Sequence, residues 1–176
     1  MTRHVDKYLA LEAAATSISI FETMVVPGAL QTSDYAAAVL AGQPYDAVGR
    51  RLHRDLPSIA SIVIDESVLY RPYGGPDALR QQISVLLDMA DRPMTTVQVL
   101  GMHSACRHAT DGPFSIVYSA RNTVGFVEHR GGGSWKRAPG DIRRFEEAFG
   151  GLRAAAMGPA ESRDLLVKLI GIGENR

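Results

Sequence analysis

The spacing of apolar and polar positions changes several times along the chain, and each change marks an element. Residues 6–16 are mostly good helix formers, and SISIF (17–21) then alternates polar with apolar, the period of a half-buried strand. Pro27-Gly28 breaks that strand, and Thr32 or Ser33 can cap a short helix carrying Tyr35, Val39 and Leu40. A further helix is expected from about Asp46 to Leu56, ended by Pro57, with Arg50, Arg51 and Arg54 within one turn. SIASIVI (58–64) reads as a largely buried strand that runs straight into Asp65-Glu66. YRPYGGP (70–76) is turn chemistry, with Pro76 suited to the first position of a helix. In that helix Leu79, Ile83, Leu86, Leu87 and Ala90 form one apolar stripe.

After Arg92-Pro93 come three strand-like runs, TTVQVL (95–100), PFSIVYS (113–119) and TVGFVEH (123–129), read together as an antiparallel meander with a tight turn near Arg121-Asn122. Residues 131–133 open a loop before a short run around Trp135. A helix follows with Ile142, Phe145, Phe149 and Leu152 on one face, and a last one starts near Pro159 and carries Leu165, Leu166 and Leu169. The pattern predicts an α+β fold: a single domain over residues 1–176, with an antiparallel sheet of about four to five strands covered by helices. No βαβ alternation long enough for a doubly wound sheet is read.

Composition narrows the class. A length of 176 residues, 45% hydrophobic and 22% charged, suits one core. With 19 Lys+Arg against 19 Asp+Glu the chain lacks the basic field that draws proteins onto nucleic acid or anionic lipid, so no nucleic acid and no membrane are expected as partners. One cysteine, Cys106, excludes an internal disulfide and fits a cytoplasmic protein. Lys7 and Glu12 interrupt the opening segment, so neither a signal peptide nor a membrane span is expected there.

Candidate chemistry centres on carboxylates and histidines. Glu66 follows a buried strand, where desolvation suits a carboxylate to proton transfer; the alternative is a salt bridge to Arg71 or a capping role. Glu128, at the end of VGFVE, can face the same region, and two converging carboxylates would push their pKa values apart. Zinc needs three or four ligands in closed geometry, and the sequence offers no second Cys/His cluster beside His103, Cys106 and His108 in HSACRH, so no metal is expected; His103 is the candidate acid or base because it lies nearer the sheet. Arg51, with its neighbours Arg50 and Arg54, either binds an acidic group or belongs to a solvated helix face. Tyr35, Tyr70 and Tyr73 either line a pocket or form the edge of the core. GGGSW (131–135) is read as a flexible loop or lid. Nucleophile-elbow, Walker and dinucleotide motifs are absent, and no cofactor is expected.

Several strings in order carry a resemblance: PGALQTSDYA (27–36), RRLHRDL (50–56), VIDESVLYRPYGGP (63–76), the helix with Gln82, TTVQVL, GPFSIVY (112–118), VGFVE (124–128) and AESRDLL (160–166). Together they resemble the C-terminal domain of the antitoxin-like helix-turn-helix transcriptional regulators of actinomycetes, a domain of unknown function that follows a DNA reader. The match begins within the first dozen residues, so a stand-alone domain without that reader is expected. Two functions stay open. One is a cofactor-free enzyme of specialised-metabolite biosynthesis, a cyclase or lyase in which Glu66 or His103 moves a proton while Arg71, the tyrosines, Arg51 and Glu128 hold the substrate. The other is a non-catalytic sensor of a small ligand or small partner protein, either alone or as part of a longer regulator. A homodimer is left open.

Overall fold

The computed structural model describes residues 2–42, 56–129 and 132–171. Its centre is a six-stranded mixed sheet in the order β3-β2-β1-β4-β5-β6. The strands are β1 (Ser17–Glu22), β2 (Ile59–Asp65), β3 (Thr95–Leu100), β4 (Phe114–Tyr118), β5 (Thr123–His129) and β6 (Gly132–Lys136). The helices are α1 (Thr2–Ala13), α2 (Ser33–Val39), α3 (Pro76–Ala90), α4 (Pro139–Ala155) and α5 (Pro159–Gly171).

The strand directions correct the expected all-antiparallel sheet of four to five strands. β1, β2 and β3 are mutually parallel neighbours, whereas β4, β5 and β6 add to the other side of β1 in antiparallel succession. The physical reason is that parallel neighbours need a crossover, and the β2–β3 connection contains α3, a βαβ unit that the sequence reading did not find. TTVQVL therefore leaves the supposed meander and becomes the edge strand β3, while PFSIVYS pairs with β1. GGGSW is also corrected from loop or lid to strand: Gly132–Lys136 pairs with β5. Its glycines hid it by removing the side-chain alternation that identifies a strand. The helix expected at 46–56 lies outside the described residues except for Leu56, which is buried.

Both faces of the sheet are covered, which is why Ile62, Val63 and Ile64 form an unbroken buried run with no polar alternation. Ile18, Ile20, Ile62, Ile64, Val97 and Val99 pack with Tyr8 and Leu11 of α1, Tyr35 of α2, Ile83, Leu86 and Met89 of α3 and Leu166 of α5. On the opposite face Phe21, Val63, Leu100, Phe114 and Ile116 meet Phe149 and Leu152 of α4. The outer edge of β3 is closed by the α4–α5 junction, where Met157 N–H donates to the Val99 carbonyl at 2.9 Å and the Ser162 hydroxyl accepts from Val99 N–H at 2.9 Å.

A buried glutamine ties the segment after β1 to α3. The Gln82 amide nitrogen donates to the Leu30 carbonyl at 2.7 Å, and its oxygen accepts from Thr32 N–H at 2.8 Å. Gln82 is wholly buried, so water cannot replace either bond if the side chain is lost. At the start of α3, Gly74 has φ 78° and a Cβ there would come within 2.9 Å of Ala78 Cβ, so the turn requires glycine twice over.

Gln82→Leu fills the space but strands a buried N–H and a buried carbonyl, and is expected to cost about 2–5 kcal/mol by urea denaturation; a loss under about 1 kcal/mol would show that the tie is dispensable. Tyr35, fully buried, has its hydroxyl pKa pushed up to about 12, first by burial and then by the nearby Tyr73 and Glu22, with the Val26 N–H and Arg71 opposing. A tyrosine raised in the folded state favours folding fully below its unfolded value near 10 and loses that contribution as pH rises to about 12. Alkaline unfolding is therefore expected to set in across that window, and Tyr35→Phe should flatten it; an unchanged profile in the variant would assign the alkaline limb elsewhere.

Candidate functional site

Strand parity builds the site. Ile18 and Ile20 point into the core on the α1 side, and two residues further along the same face comes Glu22, the last residue of β1. On β5 the same parity runs Val124, Phe126, Glu128. Registers Ile20↔Ser115, Ser115↔Phe126 and Phe126↔Trp135 set these four residues in one row across β1, β4, β5 and β6. One step beyond that row, Glu22 and Glu128 stand at the carboxyl ends of strands separated by β4, roughly 10 Å apart in backbone by the usual strand spacing.

Between them lies a cavity of about 290 Å³, lined by Tyr8, Glu22, Met24, Val25, Val39, Pro113, Phe114, Ser115, Phe126 and Glu128. Ser115 is buried at the floor and Tyr8 leans over it, its hydroxyl donating to Ser115 Oγ at 3.3 Å. Glu22 is half-buried in the wall, whereas Glu128 and Met24 are exposed at the rim. An aromatic stack supports one side: the Tyr8 and Phe126 ring centres are 4.6 Å apart, and those of Phe126 and Trp135 4.5 Å. Gly133 is what lets this stack form, since a Cβ there would fall 2.1 Å from the Phe126 ring. Tyr8, Glu22, Glu128 and Trp135 also make further interactions within the chain.

Of the described residues singled out from sequence, Glu128 lines this cavity and the others lie elsewhere. Glu66 accepts from Met102 N–H through Oε2 at 2.9 Å and from the Tyr70 hydroxyl through Oε1 at 3.3 Å, tethering the connection that leaves β3. His103 follows on that connection and is exposed. The ends of β2 and β3 do not border this cavity, because Val68 and Leu69 of the 3-10 turn Glu66–Tyr70 fold into the core there. Arg71 donates to the carbonyls of Thr23 at 2.8 Å and Met24 at 3.1 Å, fixing the backbone that leaves β1. It thus shapes the rim of the cavity without lining it.

Tyr35 is core, with Tyr73 edge-on to it at 5.5 Å. Tyr70 is half exposed, and its pKa is raised first by the burial of its ring and then by Glu66. Arg50, Arg51 and Arg54 lie outside the described residues. His108 packs on α4 at Gly151, where a Cβ would come within 2.3 Å of its ring. Among the described residues no group of three or more His, Cys, Asp or Glu side chains could hold a metal ion. No helix in the described residues is long and apolar enough to cross a membrane. Tyr8, Glu22, Ser115 and Phe126 were not read as site residues, although a glutamate in the inward register of SISIFE was a usable signal.

Gly133→Ala is expected to drive the Phe126 ring off β6, costing about 1–3 kcal/mol and shifting the emission of Trp135, the single tryptophan. Unchanged stability together with unchanged emission would mean that the ring does not depend on that glycine.

A family profile matches residues 5–168. No curated protein matches the chain, and no solved structure does. The match covers nearly the whole chain, and the protein belongs to the family of the domain of unknown function DUF5753.

Proposed function

We propose that the domain binds a small organic molecule in the cavity between α1 and the ends of β1, β4 and β5. The observation that carries this reading is the cavity itself, about 290 Å³ with walls of Met24, Val25, Val39, Phe114 and Phe126 around a few polar groups. That is the composition of small-molecule sites, and the volume stands at the lower end of their roughly 300–1,000 Å³ range. A small metabolite suits it better than a peptide. The resemblance to the antitoxin-like regulators supports a sensor of this kind, acting in the cytoplasm, with ligand occupancy as its signal.

A second reading, the cofactor-free cyclase or lyase, draws support from the same lining, because Glu22, Glu128 and the Tyr8 hydroxyl put proton-accepting and proton-donating groups around one space. Its acid–base groups would then be these residues, since Glu66 is engaged with the Met102 backbone and His103 is exposed.

The test is a panel of small metabolites read by thermal unfolding. A ligand at about a hundred times its Kd adds about 2.7 kcal/mol, a Tm rise of about 5–10 °C for a chain of this size. Met24→Trp places a bulky ring at the exposed rim, and is expected to abolish the rise without lowering the basal Tm. A rise unchanged in that variant would move the site away from this cavity. Conversion of a bound compound, followed by mass spectrometry, would decide for the second reading, and binding without conversion for the first.

A further inference from the structure

We propose that the ligand of this cavity is an uncharged carbonyl compound, a ketone, lactone or amide on a small apolar or aromatic body, whose carbonyl oxygen accepts the proton of the Ser115 hydroxyl. The inference rests on the ligand-binding reading above and adds the polar group that the ligand carries at its inner end. Its basis is a serine that the packing of the chain does not account for. Ser115 stands in the row Ile20, Ser115, Phe126, Trp135, where its neighbours across the sheet are large aliphatic or aromatic side chains. The next residue on the same face of β4 is Val117, also core. Ser115 is 8% exposed, and a hydroxyl so placed costs stability unless hydrogen bonds replace the water it has lost.

Ser162, also buried, uses both halves of its hydroxyl: its oxygen accepts from Val99 N–H at 2.9 Å, and its proton goes to the Met157 carbonyl at 3.3 Å. Ser115 accepts from the Tyr8 hydroxyl at 3.3 Å, and among the described residues no acceptor is in place for its own proton. The carbonyls nearest to it lie in the plane of the sheet and serve the ladder, whereas the side chain stands off that plane at the cavity floor. A bound molecule can therefore supply the missing acceptor. A carbonyl oxygen accepts without bringing a proton of its own, whereas a ligand hydroxyl would replace one unmatched donor by another. Val25, Val39, Phe114 and Phe126 receive the apolar body, and the neighbouring Tyr8 and Phe126 rings offer it aromatic surface to pack on.

Two isosteric probes isolate that bond: acetophenone and α-methylstyrene have the same outline and differ in a carbonyl oxygen against a methylene carbon. Each is titrated by calorimetry into the full chain and into its Ser115→Ala variant. The expected result is that the substitution weakens acetophenone about three- to tenfold, the worth of one hydrogen bond, and leaves α-methylstyrene unchanged. Isotope-edited infrared spectra read the same bond independently of affinity. The carbonyl stretch of bound acetophenone should lie at lower frequency on the unaltered chain than on Ser115→Ala.

Equal weakening of both probes, or none of acetophenone, would overturn the carbonyl assignment while leaving the cavity as a ligand site, and a carbonyl band at one frequency in both proteins would do the same. Should neither probe bind, the compounds of the wider panel that Met24→Trp excludes take their place: weakening by Ser115→Ala confined to carbonyl compounds supports the assignment, and any other pattern overturns it. The ligand-binding reading itself fails only if nothing binds at the cavity.

Discussion

Both faces of β1 and β2 have to be kept from water, and the rest of the architecture follows from that requirement. Ile62, Val63 and Ile64 leave neither face a polar row, so helices must lie on both sides. α3 and α5 meet the requirement on one face together with α1 and α2, and α4 meets it on the other. The helix α3 in the connection between β2 and β3 makes the crossover that lets those strands run parallel, whereas the short β4–β5 turn leaves only antiparallel pairing. β1 is where the two regimes join, parallel to β2 on one side and antiparallel to β4 on the other.

That junction explains where the cavity lies. On the parallel side, the chain leaving β2 turns inward at once and packs Val68 and Leu69 over the strand end. On the antiparallel side, the chain enters β4 through Pro113, which carries no N–H and projects no long side chain, between the ends of β1 and β5. Space is left there, and the inward parity of β1 and β5 brings Glu22 and Glu128 to it. Arg71 holds the carbonyls of Thr23 and Met24, so the strand leaves the rim in one fixed direction.

The sequence made some of this readable and hid the rest for identifiable reasons. The stripe of α3, the alternation in SISIF and the isoleucine run of β2 are local patterns, and they appear where the periods put them. Strand direction is not local: TTVQVL and PFSIVYS follow each other in the chain, yet two strands separate β3 from β4. β6 lacks a pattern in part because Gly133 is needed under Phe126. Among site residues, Glu128 was reached from its position at a strand end, while Glu22 needed only the observation that it shares the register of Ile18 and Ile20. Glu66 has the same local context but a different use, since its partner is a backbone N–H from a distant strand end that no window of sequence contains.

The closure of β3 by Met157 and Ser162 also governs how copies of this chain can meet. A sheet with two open ends can add molecules head to tail without limit, the geometry of a fibre. Here one end is already occupied by the chain's own backbone and a buried serine. Growth from β6 of one molecule onto β3 of the next is blocked at its acceptor. Among the described residues β6 has no strand beyond it, and a contact of one such edge with its copy would be two-fold and complete with the second molecule.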